Sequence, residues 1–305
     1  MRAALFDDYG EPGVLYVSEI PIPDPGPGQV RIRVMAAALN PIDWKVRSGR
    51  ARLVKQFPSG TGRDAAGIVD AVGRGVGSSL IGHEVIGLCS EGAVAEHCIL
   101  HHWADKPEDY SWREAAAIPL TAETALRVIR AANVQAGMTV LVDGASGAVG
   151  LATLSFARHL GFTVVGTCSP VNARMVRGQG GIPIEHGAWS PSQLAEAGVT
   201  RIDRVFDFSG RDLEALIAVI GDPSKVVGIV DHVNGPKLGI HDSNASPSHG
   251  AFDAIALAAD LAHKGEYFVR LGRSFPMDQI ADAHQAVFDG TPGKVTIPIG
   301  AATQA

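Results

Sequence analysis

The residues with the clearest capacity for chemistry run Thr139-Val-Leu-Val-Asp-Gly144-Ala-Ser-Gly147-Ala-Val-Gly150 and lead into the helical pattern Leu151 to Leu160. An apolar run, a glycine-rich turn and a helix in that order form a seat for a pyrophosphate. Backbone N–H groups of Gly144, Ser146, Gly147, Ala148, Val149 and Gly150 gather at a helix N-terminus, and glycine lets the ligand approach the main chain. The spacing is Gly-x-x-Gly-x-x-Gly, not the commoner Gly-x-Gly-x-x-Gly. Three glycines between a strand and a helix also serve as a purely structural turn, so the flanking strand and helix carry the argument.

The end of the next strand decides which nicotinamide dinucleotide such a turn would hold, because NAD sites place a carboxylate there for the ribose 2′-hydroxyl. Here the sequence reads Val164-Val-Gly-Thr167-Cys-Ser169, and no Asp or Glu lies between Asp143 and Glu185. Arg174 and Arg177 follow instead, which favours NADPH over NADH. Thr167, Ser169, Asn172 and Arg174 are the candidate partners of that half of the cofactor. Helix capping and plain solvent exposure are the alternative reading of Ser169, Asn172 and Arg174. Phe208-Ser209-Gly210 and Gly228-Ile-Val230 follow strands, and should border the cofactor because ligands sit at the carboxyl ends of such strands.

The elements that must position these residues divide the chain in two. Its first third alternates apolar and polar residues in Val30 to Val34 and carries brief apolar runs, Ile68 to Val72 and Val85 to Leu88, bounded by Gly67, Gly73, Gly82 and Gly87; this predicts a small barrel. From residue 118 the texture becomes strand, glycine turn and helix in succession. Strands are expected at Thr139 to Asp143, Thr163 to Thr167, Ile182 to Ile184, Arg204 to Asp207 and Lys225 to Val230, which builds a parallel sheet covered by helices. Period-two alternation returns in Tyr267 to Leu271, followed by a helix over Met277 to Phe288 and a strand over Lys294 to Ile299. The expected domains are therefore 118–264 for the nucleotide and a discontinuous partner made of 1–117 and 265–305, sharing a cleft.

Bulk properties narrow the function classes. A formal charge of -6 with no basic run speaks against nucleic acid. Ala251 to Ala262 is interrupted by Asp253 and Asp260, which suits an amphipathic helix and not a membrane span. Met1 to Asp8 lacks the apolar core of a signal peptide. The three cysteines, Cys89, Cys98 and Cys168, are too few and too scattered for a disulfide scaffold. A cytoplasmic location is the expectation.

Several segments recur in a familiar order: Pro27 to Val34, Asn40-Pro-Ile-Asp43 with Arg47-Ser-Gly49, Gly62-Arg-Asp-Ala-Ala-Gly67, Ala115 to Leu126, the glycine turn, and Gly293-Lys-Val295. In these the chain resembles the medium-chain dehydrogenase/reductase superfamily, and specifically its zinc-free quinone oxidoreductase branch. The resemblance implies an α/β protein with a GroES-like barrel domain and a Rossmann domain, frequently a homodimer. Zinc-dependent members carry Cys where Asn40 stands and His where Arg63 stands, so neither a catalytic nor a structural metal is expected. Gly82-His83-Glu84 imitates a zinc motif from a displaced position, and His83 is read as a turn residue. His97, Cys98, His101 and His102 are read as strand residues whose side chains alternate.

The same resemblance places Asn40 beside the nicotinamide, as an amide able to donate to a developing oxyanion. Thr124 matches a threonine next to that ring, with Thr121 close by or capping the helix. Asp43 either holds its loop or meets the cofactor. Lys294 either reaches a cofactor phosphate or guards a strand edge. Relatives often have a tyrosine after the Arg-x-Gly of this loop, whereas Arg50, Ala51 and Arg52 follow Gly49 here, so no phenolic proton donor is assigned. Arg50, Arg52 and Lys55 form either a basic entrance or a solvated face. The expected activity is NADPH-dependent, metal-free reduction of quinones, enones or related small carbonyl compounds. A zinc-free alcohol or aldehyde oxidoreductase, or an NADPH-binding sensor with little turnover, are the alternatives.

Overall fold

The computed structural model describes residues 1–89, 92–187, 189–243 and 250–300. In chain order its elements begin β1 (Arg2–Phe6), β2 (Tyr16–Glu19), β3 (Val30–Ala38), α1 (Pro41–Arg47), β4 (Ser59–Gly60), β5 (Asp64–Val72), β6 (Glu84–Leu88), β7 (His97–Leu100), β8 (His102–Asp105), α2 (Trp112–Ala116) and α3 (Pro119–Ala131). They continue β9 (Thr139–Asp143), α4 (Ala148–Leu160), β10 (Thr163–Cys168), α5 (Pro170–Gly178), β11 (Ile182–Glu185), α6 (Pro191–Glu196), β12 (Arg204–Asp207), α7 (Leu213–Ile220), β13 (Val226–Gly228) and β14 (His241–Asp242). The last are α8 (Ala254–His263), β15 (Leu271–Ser274), α9 (Ile280–Phe288) and β16 (Lys294–Pro298). Among the described residues no helix is long and apolar enough to cross a membrane.

Two compact units result. The first holds Met1–Leu120, Asp253–Lys264 and the chain from Val269 onward; the second holds Thr121–Phe252 and Gly265–Phe268. This division departs from the sequence expectation at residues 118–120 and at α8, which belong to the first unit, and at residues 265–268, which belong to the second.

The first unit is built on β3, a nine-residue strand whose inward residues Val30, Ile32 and Val34 are buried. It pairs with β5 along one side, and with β7 and β16 along the other. The full order is β15-β16-β3-β5-β6-β8, with β7 on β3, and a separate three-stranded sheet runs β2-β1-β4. Phe6, Ile32, Leu100, Ile280 and Ile297 share the core of this unit, and each aliphatic side chain of this kind contributes about 1.5–3 kcal/mol on burial. Gly67, expected to bound a strand, lies inside β5. A Cβ there would come 2.2 Å from the Arg33 carbonyl oxygen, so the residue permits close approach of β5 to β3.

The second unit is a six-stranded sheet in the order β11-β10-β9-β12-β13-β14, with every pair parallel. Numbered within the sheet, this is 3-2-1-4-5-6, which reverses direction between β9 and β12. The strands read as apolar runs because both faces are covered: Leu141, Val165, Val205, Leu216 and Val226 form one buried cluster. Tyr267 to Arg270, expected as part of a strand, precede the observed strand, which begins at Leu271. The Phe268 N–H donates to Ser155 Oγ at 3.2 Å and the Tyr267 ring packs 5.9 Å from Phe156, so this stretch anchors on α4 before the Arg270 carbonyl takes the Lys294 N–H at 2.9 Å.

Candidate functional site

The glycine turn leaves β9 at its carboxyl end, beside the point where the sheet reverses. Gly144 has φ +87, a conformation that a side chain disfavours, and a Cβ on Gly150 would lie 2.5 Å from the Gly144 carbonyl oxygen. Both glycines are therefore needed to bring α4 down onto the strand. The helix begins at Gly147 with no side-chain cap and no acid in its first turn, so its first N–H groups meet no competing anion.

Three of the expected cofactor residues converge next to this turn. Asn172 Nδ2 donates to Ser169 Oγ at 3.0 Å and to Ser146 Oγ at 3.4 Å, joining the end of β10 to the turn. Arg174 is exposed one helical step further along α5. Thr167 is placed differently from a ligand-facing residue. It is fully buried, its hydroxyl donates to Asp143 Oδ1, and it accepts the Gly144 N–H at 2.9 Å, so it fixes the turn from below. Ser209 likewise donates to Asp143, on Oδ2.

Asp143 is thus a hub that the sequence reading passed over, and His186 Nδ1 stands 3.6 Å from its Oδ1. Asp207, at the end of β12, is a second such acid. Its Oδ1 accepts from the N–H groups of Ser209 at 3.1 Å and Gly210 at 2.7 Å, which pins the turn containing Phe208. Burial raises its pKa, against the pull of those two N–H groups. Gly228 is buried at the end of β13, where a Cβ would meet Ile240 at 3.0 Å. Thr121 and Thr124 are both buried on α3. The Thr124 hydroxyl lies 3.3 Å from Glu123 Oε2 and 3.5 Å from an Arg127 nitrogen. Glu123 and Arg127, paired at 2.8 Å, tie α3 to Ser243 and to the Ala251 N–H.

In the first unit, the residues expected near the reacting carbon form one network. Lys294 Nζ donates to Asn40 Oδ1 at 2.6 Å and to Asp64 Oδ2 at 3.0 Å, while Asn40 Nδ2 donates to the same Asp64 oxygen at 2.8 Å. Asp64 Oδ1 takes the Leu120 N–H at 2.8 Å. These partners fix the amide orientation, since a flipped Asn40 would set its NH₂ against the lysine cation. One Asn40 N–H is left over.

The strand-edge reading of Lys294 is displaced: β16 is paired on both sides, by β15 and β3, and the side chain is buried. Asp43 Oδ2 accepts the Asn40 N–H at 2.7 Å, closing the start of α1. Burial pushes the Asp43 carboxyl up to about 7, the Asn40 N–H and the Arg63 charge acting against it and Asp64 with it.

The histidines that could suggest a metal are separately engaged. His97 Nε2 is 3.2 Å from Asp70 Oδ2, His101 Nδ1 is 3.2 Å from Gln29, and the exposed His83 is 3.8 Å from Asp105. Among the described residues no group of three or more His, Cys, Asp or Glu side chains is gathered for an ion.

Residues 26–108 match the family described as "Alcohol dehydrogenase GroES-like domain". Human quinone oxidoreductase is 27% identical over 320 aligned positions, spanning 95% of each chain. The NADPH-dependent alkenal/one oxidoreductase of Arabidopsis thaliana is 32% identical over 252 positions, which cover 77% of this chain and 64% of that one. The structure of the quinone oxidoreductase from Coxiella burnetii aligns with a TM-score of 0.82 at 26% identity, covering 98% of this chain and 99% of that one.

A GroES-like unit with a 3-2-1-4-5-6 parallel sheet is the architecture of the medium-chain dehydrogenase/reductases, and these similarities support that superfamily for the chain. Within it, they support the quinone oxidoreductase branch.

Proposed function

We propose that the chain is an NADPH-dependent reductase of enones, quinones or related carbonyl compounds, working without a metal. The observation that carries this reading is the uncapped, acid-free start of α4 beside the Ser146, Ser169 and Asn172 cluster, where no carboxylate ends β10. The relatives named above, one of them an NADPH-dependent alkenal/one oxidoreductase, support it.

The residues present fit the dinucleotide. Backbone N–H groups from Gly144 to Gly150 would hold the pyrophosphate. Ser169, Asn172 and the exposed Arg174 guanidinium would hold the 2′-phosphate. When bound, NADPH supplies a hydride to the electron-poor carbon of the acceptor. The chain's own part is to orient the acceptor and stabilise the oxyanion that develops. In the first unit the remaining Asn40 N–H is the donor for that oxyanion, in an orientation held by Lys294 and Asp64. Asn40 and Arg63 offer no thiolate or imidazole, so this stabilisation comes from hydrogen bonds, not from zinc.

Titration of the purified protein with NADPH and NADH, paired with NADPH oxidation across quinones and enones, tests the proposal. Tighter NADPH binding with turnover of at least one acceptor class is expected. Equal or tighter NADH binding would remove the cofactor assignment, and NADPH binding without oxidation of any acceptor would remove the reductase assignment.

A further inference from the structure

From Trp44 to Arg63 the chain carries six basic residues, Lys45, Arg47, Arg50, Arg52, Lys55 and Arg63, and no Asp or Glu, although the whole protein has a formal charge of -6. Among the described residues none of the six forms an ion pair with an acid. Two rest on aromatic rings: Arg50 lies 5.2 Å from the Trp44 ring centre and Arg52 lies 5.9 Å from that of Tyr9. Lys45 feels its neighbour directly, since burial and the Arg50 charge lower its pKa. Uncompensated positive charge held this close costs free energy unless an anion joins it.

Arg63 is the member of this stretch that enters the candidate site. It precedes Asp64 in sequence, is half-buried, and lines a narrow recess with Asp43, Val46, Leu53 and Thr61, whose volume of about 30 Å³ suits a carboxylate head and leaves the rest of a ligand at its mouth. Its five N–H donors have no protein hydrogen-bond partner among the described residues and none of them is buried and unsatisfied, so they are open to solvent and to a ligand. Among the described residues no neighbouring acid lies at ion-pair distance from it: Asp64 is taken by Lys294, Glu11 acts on Arg47, and Asp43, which feels the Arg63 charge, holds its proton up to about pH 7. The apolar faces of Val46 and Leu53 beside one cation suit a short carbon skeleton ending in an anionic group.

We propose that Arg63 receives a carboxylate of the acceptor, so that the preferred substrates are α,β-unsaturated carbonyl compounds bearing an acid group. This deepens the reductase reading and rests on it for turnover, but not for binding. The Arg63 fork fixes the orientation of that carboxylate, and so sets which end of the acceptor lies toward Asn40. Burial raises the Asp43 pKa to about 7 against the pull of Arg63, so below that pH the Arg63 charge is unopposed and above it the Asp43 carboxylate competes with the ligand.

The test compares 4-oxopent-2-enoate with its methyl ester, which share one enone; because the ester also adds a methyl group and activates the alkene, the change of the acid-to-ester ratio between wild type and Arg63→Gln is what reads the contribution of charge. The wild-type enzyme should show a kcat/KM ratio of about tenfold or more in favour of the acid, the amount expected of one charge-assisted pair. That ratio should fall with rising salt, collapse in Arg63→Gln and be partly kept in Arg63→Lys. A second arm titrates the saturated 4-oxopentanoate, which cannot be reduced, into cofactor-free wild type and both variants, with melting curves to verify folding.

Loss of its binding in Arg63→Gln supports the recess even if neither enone is turned over, an outcome that would sink only the reductase reading. Equal use of acid and ester by the wild type, with 4-oxopentanoate binding indifferent to Arg63, overturns the proposal. So does an Arg63→Gln variant whose defect lies in NADPH affinity and not in the acid preference, since the anion would then be a cofactor phosphate.

Discussion

Asp43→Asn offers a sharp physical test, because it isolates one buried charge. In the folded chain the Asp43 carboxyl holds its proton up to about pH 7, against an ordinary value of 3.8. Between those two values the folded state binds a proton that the unfolded state has lost, so stability contributed by Asp43 is full below pH 3.8 and drains away as pH rises to 7. A shift of about three units corresponds to about 4 kcal/mol.

His284 acts in the opposite sense. Burial, reinforced by the Arg47 charge, lowers its pKa from 6.5 to about 3, so its contribution is present above pH 6.5 and lost as pH falls toward 3. That shift corresponds to about 5 kcal/mol, and the two slopes largely offset each other in the wild type. Asp43→Asn therefore unmasks the acid sensitivity of His284. Urea unfolding at constant ionic strength, followed by tryptophan fluorescence, should show the stability difference between variant and wild type moving toward the variant by about 3–4 kcal/mol between pH 4.5 and 8. A difference that moves by less than about 1 kcal/mol over that range would refute the argument that burial governs Asp43.

His284→Gln provides the mirror image: it should gain stability relative to wild type as pH falls from 7 to 4, measured by the same urea curves. Lys294→Met would leave the fully buried Asp64 carboxylate without its cation and should cost about 3–5 kcal/mol in urea unfolding at pH 7. Gly150→Ala would force a Cβ to 2.5 Å from the Gly144 oxygen; a loss of about 1–3 kcal/mol is expected from thermal melting, with weakened NADPH binding in a fluorescence titration. Arg174→Glu should reduce NADPH affinity by about tenfold or more, the worth of one charge-assisted pair, and leave NADH nearly untouched in the same titration.

Much of the second unit was legible because its signals are local. The run Thr139 to Gly150 declares strand, turn and helix within a dozen residues, and the succession of strands and helices after it dictates a parallel sheet. Tyr267 to Leu271 misled for the same reason: alternation marks an extended chain, but not whether a neighbour pairs with it. The hubs stayed hidden because they join distant residues. Asp64 meets Asn40 across 24 positions and Lys294 across 230, and nothing near Asp64 in sequence announces either partner. Asp143 and Thr167 were read as boundary and ligand residues, yet their side chains face each other beneath the turn. Whether a polar side chain at a strand end turns toward a cofactor or down into the protein depends on the adjacent strand, which local pattern does not specify.

The separation between Asn40 and Lys294 also bears on how the protein is made. Every strand of the nucleotide-binding sheet comes from residues 139–242, and the unit ends at Phe268, so this half can close its contacts once residue 268 has emerged. The other half cannot, since the Asp64 charge is neutralised by a lysine 230 positions downstream. Until that lysine arrives, early strands would wait with a bare carboxylate where their interior will be. Ribosome-stalled chains halted before residue 294 should therefore protect the nucleotide-binding half from protease while leaving residues 1–120 open to cleavage.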